Sequence, residues 1–106
     1  MVEKMNYKVT SLSPFNDIDS ENDNVDIEVK FQDGSSYVAT FFTLINIQSL
    51  LNKYANSGEC FNGLYHWCAN MIIINEITIK SIELTVSDLI ATGEFLKAFY
   101  KVPISD

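Results

Sequence analysis

From Val25 onward, apolar and polar residues alternate without a break. Val25, Ile27, Val29 and Phe31 fall to one side, and Asp26, Glu28 and Lys30 to the other. A period of two predicts a half-buried strand with one face in the core and one in water. Asp33-Gly34 then supplies residues able to take positive φ in a tight hairpin turn, and Tyr37 to Phe42 returns as the antiparallel partner. That second strand, YVATFF, is apolar on both faces, which predicts a central position in its sheet. Upstream, Met5 to Leu12 alternates weakly and begins another strand. Ser13, Pro14 and a polar run through Asn24 break regular structure and predict a mobile surface loop.

The period changes after the second strand. Thr43 or Asn46 can cap a helix through Tyr54, with Ile47, Leu50, Leu51 and Tyr54 forming one apolar stripe, and Ser57-Gly58 stops it. Gly63 opens a second extended region. Leu64 to Cys68 and Met71 to Ile74 both read as strands, and the short Ala69-Asn70 connection predicts a hairpin; two strands and one kinked strand both remain open. Thr78 caps a second helix with Ile79, Ile82, Val86, Leu89 and Ile90 on one face and Gly93 as its left-handed terminator. Phe95, Phe99 and Tyr100 predict one more short helical turn against the core. Hairpins in place of regular strand-helix alternation argue for a single α+β domain over residues 1–106. The expectation is an antiparallel sheet of about five strands, beginning near Tyr7, Val25, Tyr37, Leu64 and Met71, with two main helices packed on it.

Composition narrows the partners. The 106 residues hold 47% hydrophobic and 20% charged side chains, inside the globular range for one domain. Seven basic residues, all lysine, face 14 acidic ones, for a net charge of -7. Without arginine there is no guanidinium fork for guanine or phosphate, and a negative surface repels a polyanion, so nucleic acid is not the expected partner. The same field speeds encounter with a basic protein; its plainer use is solubility. Met1 to Thr10 lacks the apolar core of an export signal, so no export is implied and a cytoplasmic chain is the expectation. The longest apolar stretches, Phe41 to Leu44 and Met71 to Ile74, fall far below the roughly 20 residues of a membrane span. Cys60 and Cys68 are then expected to be reduced.

Three constellations could carry chemistry. Asp17, Asp19, Glu21, Asp23, Val25 and Glu28 fall on the ligand frame of a calcium-binding loop, but Asn22 stands where that loop needs glycine and the flanks are not helical. Cys60, His66 and Cys68, with Glu59, offer zinc ligands at a spacing no zinc motif uses. The same thiols and imidazole could form a nucleophile, without an evident oxyanion-hole loop. Phosphate loops, nucleophile elbows and paired-histidine metal helices are absent. The expectation is no cofactor, no metal and no catalysis. What stands out is the concentration of acids at Asp17, Asp19, Glu21, Asp23, Asp26 and Glu28, six of the 14 within twelve residues. These are the expected partner-binding residues, with Tyr65 and Trp67 as aromatic anchors if their face is not the core. Their alternative use is to guard a sheet edge against aggregation.

The segments YVATFFTLINIQSLL, SGECFNGLYHW, NMIIINEI and DLIATGEFLKAF together resemble a family of small bacterial proteins. Some of its members are immunity proteins of contact-dependent growth inhibition and related polymorphic toxin systems. The resemblance runs from Val25 to Phe99, and the family has no catalytic motif to match. It implies a cytoplasmic protein-protein interaction in which the chain binds one cognate toxin domain and blocks it. Many such toxins are basic nucleases, so an acidic toxin inhibitor can cover the active site or the substrate groove. The loop from Pro14 to Asn24 lies outside the pattern, and variable loops are where such proteins set toxin choice. A stand-alone ligand-binding or regulatory α+β domain is the other reading. Position immediately downstream of a large toxin gene would separate the two.

Overall fold

The computed structural model describes residues 6–103. Of the segment read for an export signal, residues 1–5 lie outside that range, as does Met5 at the start of the first expected strand. Strands β1 (Tyr7–Ser11), β2 (Asn24–Phe31) and β3 (Ser36–Thr43) form an antiparallel meander. The alternation in β2 does what the sequence requires of it: Val25, Ile27 and Val29 are buried, while Asp26 and Lys30 are exposed. Gly34 takes φ 93° in the β2–β3 turn, and Asp33 Oδ1 accepts from the Ser35 amide at 2.9 Å to brace it.

Thr43 is the N-cap of α1 (Leu44–Ser57), its hydroxyl accepting from the Asn46 amide at 3.2 Å, and Gly58 ends the helix in the left-handed region. Next comes α2 (Glu59–Gly63), a single turn whose central residues Cys60, Phe61 and Asn62 all have left-handed backbone angles. An extended passage without ladder pairing leads to β4 (Met71–Ile74). Helix α3 (Ile79–Thr92) follows, opened by a reciprocal Thr78–Ser81 capping box and closed by left-handed Gly93. A four-residue helix α4 (Phe95–Ala98) and the two-residue strand β5 (Tyr100–Lys101) complete the described chain.

The fold is α+β, with a five-stranded, mainly antiparallel sheet. β3 is central, with β2 on one side and, on the other, β4 beside its C-terminal half and β5 beside its N-terminal half. Four expectations need correction. Leu64 to Cys68 is not a strand: it pairs with no ladder and is anchored through its side chains, His66 against Phe42 and Tyr54. Ala69-Asn70 therefore makes no hairpin. β4 arrives parallel to β3, Thr40 opposite Met71 and Thr43 opposite Ile74, because the chain returns to the middle of β3 through α1, α2 and the crossing passage. The fifth strand is Tyr100–Lys101, where a helical turn was expected to continue.

The inward face of the sheet meets α3 and α4 in one cluster: Ile27, Val29, Phe41, Ile82, Val86, Phe95 and Phe99 carry most of it. Phe95 and Phe99 stack with ring centroids 4.5 Å apart. Helix α1 is different, since none of its residues is buried. Its stripe of Ile47, Leu50, Leu51 and Tyr54 is half-buried, and its principal contact is α2. The molecule therefore has a packed body and an arm, α1 with α2, against the other side of the sheet.

Candidate partner-binding surface

The acidic loop ahead of β2 is braced. Asp19 Oδ1 accepts from the amides of Glu21 at 3.0 Å and Asn22 at 3.3 Å. Asp23 accepts from the amides of Asp19 at 3.0 Å and Asn24 at 2.8 Å. Side chains then tie the loop to α1: Asn24 Nδ2 donates to Asn46 Oδ1 at 2.9 Å, and Asn46 Nδ2 donates to Asn22 Oδ1 at 3.2 Å. Thr43, only 1% exposed, joins both elements, since its hydroxyl accepts from the Asp23 amide as well as from Asn46. The loop expected to be mobile is thus cross-linked by its own side chains and to α1. Asparagine and aspartate side chains replace the missing secondary structure by bonding to nearby backbone.

The six expected acids thus divide by their partners. Asp19 and Asp23 hold the loop together, and Asp26 Oδ1 accepts from the Thr40 hydroxyl at 2.6 Å. Asp17, Glu21 and Glu28 make no side-chain hydrogen bond or ion pair among the described residues, where the one ion pair is Lys97–Glu94 at 3.3 Å. Of the carboxylates that fit a calcium frame, Asp19 and Asp23 receive backbone amides from their own loop. Among the described residues no group of three or more His, Cys, Asp or Glu is arranged to hold a metal ion.

The second half of the surface is built by the arm. Gly63, at φ 81°, packs directly on the backbone of α1: a Cβ there would stand 2.8 Å from the Ala55 nitrogen and closer still to the Leu51 carbonyl oxygen. That approach fixes the exit of the following passage, which crosses the outward face of β3. His66 lies with its ring 5.0 Å from Phe42 and 5.8 Å from Tyr54, and its Nδ1 is 3.4 Å from the Tyr54 hydroxyl. This covers Phe42, which is 4% exposed. The passage alternates even without a ladder: His66 and Cys68 are half-buried, while Tyr65 and Trp67 are exposed. The face carrying the two aromatics is therefore not the core.

Burial pushes the Cys68 thiol up, the Asp26 carboxylate adds to this, and the Thr40 hydroxyl partly offsets it. A thiol held in its protonated form is a poor nucleophile and a poor metal ligand. Partial desolvation likewise raises the Tyr54 phenol, with Cys60 and Glu59 adding to the effect.

Two residues that sequence reasoning missed extend the aromatic surface. Phe61 is 76% exposed and Leu64 73%, projected outward by the left-handed turn. The pair of glycines bracketing GECFNG was the available signal. Phe61, Tyr65 and Trp67 are each exposed, and a large aromatic side chain offers about 150–250 Å² to a partner. By register, exposed Ile73 and Tyr100 share the outward face of the sheet with Asp26 and Glu28. Asp26, Thr40 and Cys68 meet there, which brings the acidic strand to the Tyr65–Trp67 passage. Asp19, Glu21 and Asp23 belong instead to the loop that Asn22, Asp23 and Asn24 tie to the N-terminal part of α1, and Asp17 precedes them in a turn of its own. The candidate residues thus fall into two groups, one in the loop that Thr43 ties to α1 and one on the outward face of the sheet around Thr40.

No helix among the described residues is long and apolar enough to cross a membrane. Comparison with protein-family models, with curated proteins and with solved structures finds no match for this chain.

Proposed function

We propose that this protein is a non-catalytic immunity protein that binds a cognate toxin domain, a basic nuclease, and neutralises it by covering its active site or substrate groove. The observation that carries the reading is the solvent-facing Tyr65–Trp67 pair, extended by Phe61 and bordered by Asp26 and Glu28. Buried aromatics with a charged rim are what binding hot spots are made of. The net charge of -7 supplies long-range attraction for a basic partner. The braced loop adds a preorganised acidic group, which lowers the ordering cost of association.

Growth of bacteria expressing the toxin domain encoded upstream of this gene, with and without this chain, tests the reading. Survival only in the presence of the chain is the expected result. Equal killing in both cases would defeat it.

A further inference from the structure

At the Ser36 end of β3, remote from Thr43 and the arm, the β2–β3 hairpin and the α3–α4 turn line a half-open cavity of about 670 Å³, with exposed Asp33 at its rim. That volume lies in the range that takes a small organic ligand. Its walls include Phe31, Tyr37 and Phe95, whose rings pack at steep angles with centroids 5.3–5.5 Å apart. Gly93 leaves the wall open, since a Cβ there would meet nothing within 4 Å. Such rings carry their negative electrostatic potential on the faces.

One ionisable carboxylate, Asp33, lines this cavity, and no lysine does. Its Oδ1 accepts from the Ser35 amide at 2.9 Å and the Ser35 hydroxyl at 2.6 Å. Oδ2 has no side-chain or backbone partner among the described residues. These Ser35 bonds hold the carboxyl below the usual carboxylate range, and Lys101, opposite Tyr37 in the β3–β5 pair, contributes. The cavity thus combines aromatic surface, an anionic oxygen with free lone pairs, and the Asn6–Gln32 amide pair joined at 2.8 Å.

We infer that this cavity is a binding site for a small organic cation, an alkyl- or aryl-substituted ammonium. Asp33 receives the charge, and Phe31, Tyr37 and Phe95 receive the hydrocarbon part. Neutral apolar ligands would leave the carboxylate unused. Anions would meet Asp33 with no cation in the lining to offset it. Lys101 lies outside the lining and forms no ion pair with Asp33, but its charge opposes that of a bound cation. The inference stands independently of the toxin reading, because it concerns the opposite end of the sheet.

Benzylammonium and benzyl alcohol, nearly equal in shape, separate charge from apolar burial. In a titration of the full chain followed by NMR, benzylammonium is expected to give saturable shifts at Asp33, Tyr37 and Gly93. Benzyl alcohol, and benzylammonium with the Asp33→Asn variant, should bind about three- to tenfold more weakly. Lys101→Met should bind benzylammonium more tightly than the unaltered chain. Equal binding of the two probes, an unchanged affinity in Asp33→Asn, or no saturable shift at these residues would overturn the inference.

Discussion

Replacing Gly63 by alanine tests how the arm is held. Cys60, Phe61 and Asn62 occupy left-handed angles one after another, at a cost of roughly 1–2 kcal/mol each for residues with a Cβ. Asparagine lies at the low end, so the turn carries about 3–5 kcal/mol that its contact with α1 must offset. That contact is made through Gly63, where an added methyl would overlap the Leu51 carbonyl and approach the Ala55 nitrogen to 2.8 Å. Both obstacles are helix backbone and cannot rotate away. With φ at 81° as well, Gly63→Ala should destabilise the arm by about 2–4 kcal/mol.

Gly58→Ala is the control. Its φ is 88°, but a Cβ would meet only the Asn62 side chain at 3.7 Å, so its cost should be about 1 kcal/mol. Because α1 contributes no buried residue, the loss should be local and not global. Amide hydrogen exchange is the assay. In Gly63→Ala, protection should fall across Leu44–Ser57 while β2 and the β2-facing amides of β3 keep theirs. Equal effects of the two variants, or simultaneous loss of protection in α1 and β2, would refute the reasoning.

Other expectations follow from the same surfaces. Removing the charge at Asp17 and Glu21 should slow association with the toxin domain and flatten its salt dependence without altering stability, whereas Asp19→Ala and Asp23→Ala should each cost about 1 kcal/mol in thermal unfolding through lost backbone bonds; the opposite division between the two pairs would contradict the bracing. The Cys68 thiol titrates higher in the folded chain than its ordinary value of 9.0, so its contribution is intact below that value and declines as pH rises toward the folded value; Cys68→Ala should flatten the fall in stability above about pH 9 seen by thermal melts, and an unchanged slope would argue against it. Melting temperature is expected to be the same with and without a strong chelator, and a drop of many degrees would mean that a metal supports the fold.

What could be read from the chain depended on how local the cause was. The period of two in Val25 to Phe31 and the caps at Thr43 and Thr78 are local, and the structure places them as read. Leu64 to Cys68 shows the boundary. Its alternation correctly separates Tyr65 and Trp67 from His66 and Cys68, but not its lack of a ladder partner, which follows from the Gly63–α1 contact across the arm. The stripe on α1 is real as a pattern, yet it stays half-buried against α2 and the outward side of β3 and does not enter the main core, a choice made by tertiary packing. Parallel β4 depends on where the crossing passage ends, and β5 is two residues long. At the candidate site, the acids were legible as charges. Their division into bracing and free groups depended on amides that only the folded loop brings to Asp19 and Asp23.

The most direct measurement is a titration of the cognate toxin domain's nuclease activity with this protein and with its Tyr65→Ala/Trp67→Ala double variant. Both side chains are exposed, so the variant should fold with an unchanged melting temperature. The unaltered protein should abolish the activity at a one-to-one ratio. The variant should need at least about 30-fold more protein, the equivalent of roughly 2 kcal/mol. Undiminished nuclease activity with the unaltered protein, or equal inhibition by both, would contradict the account.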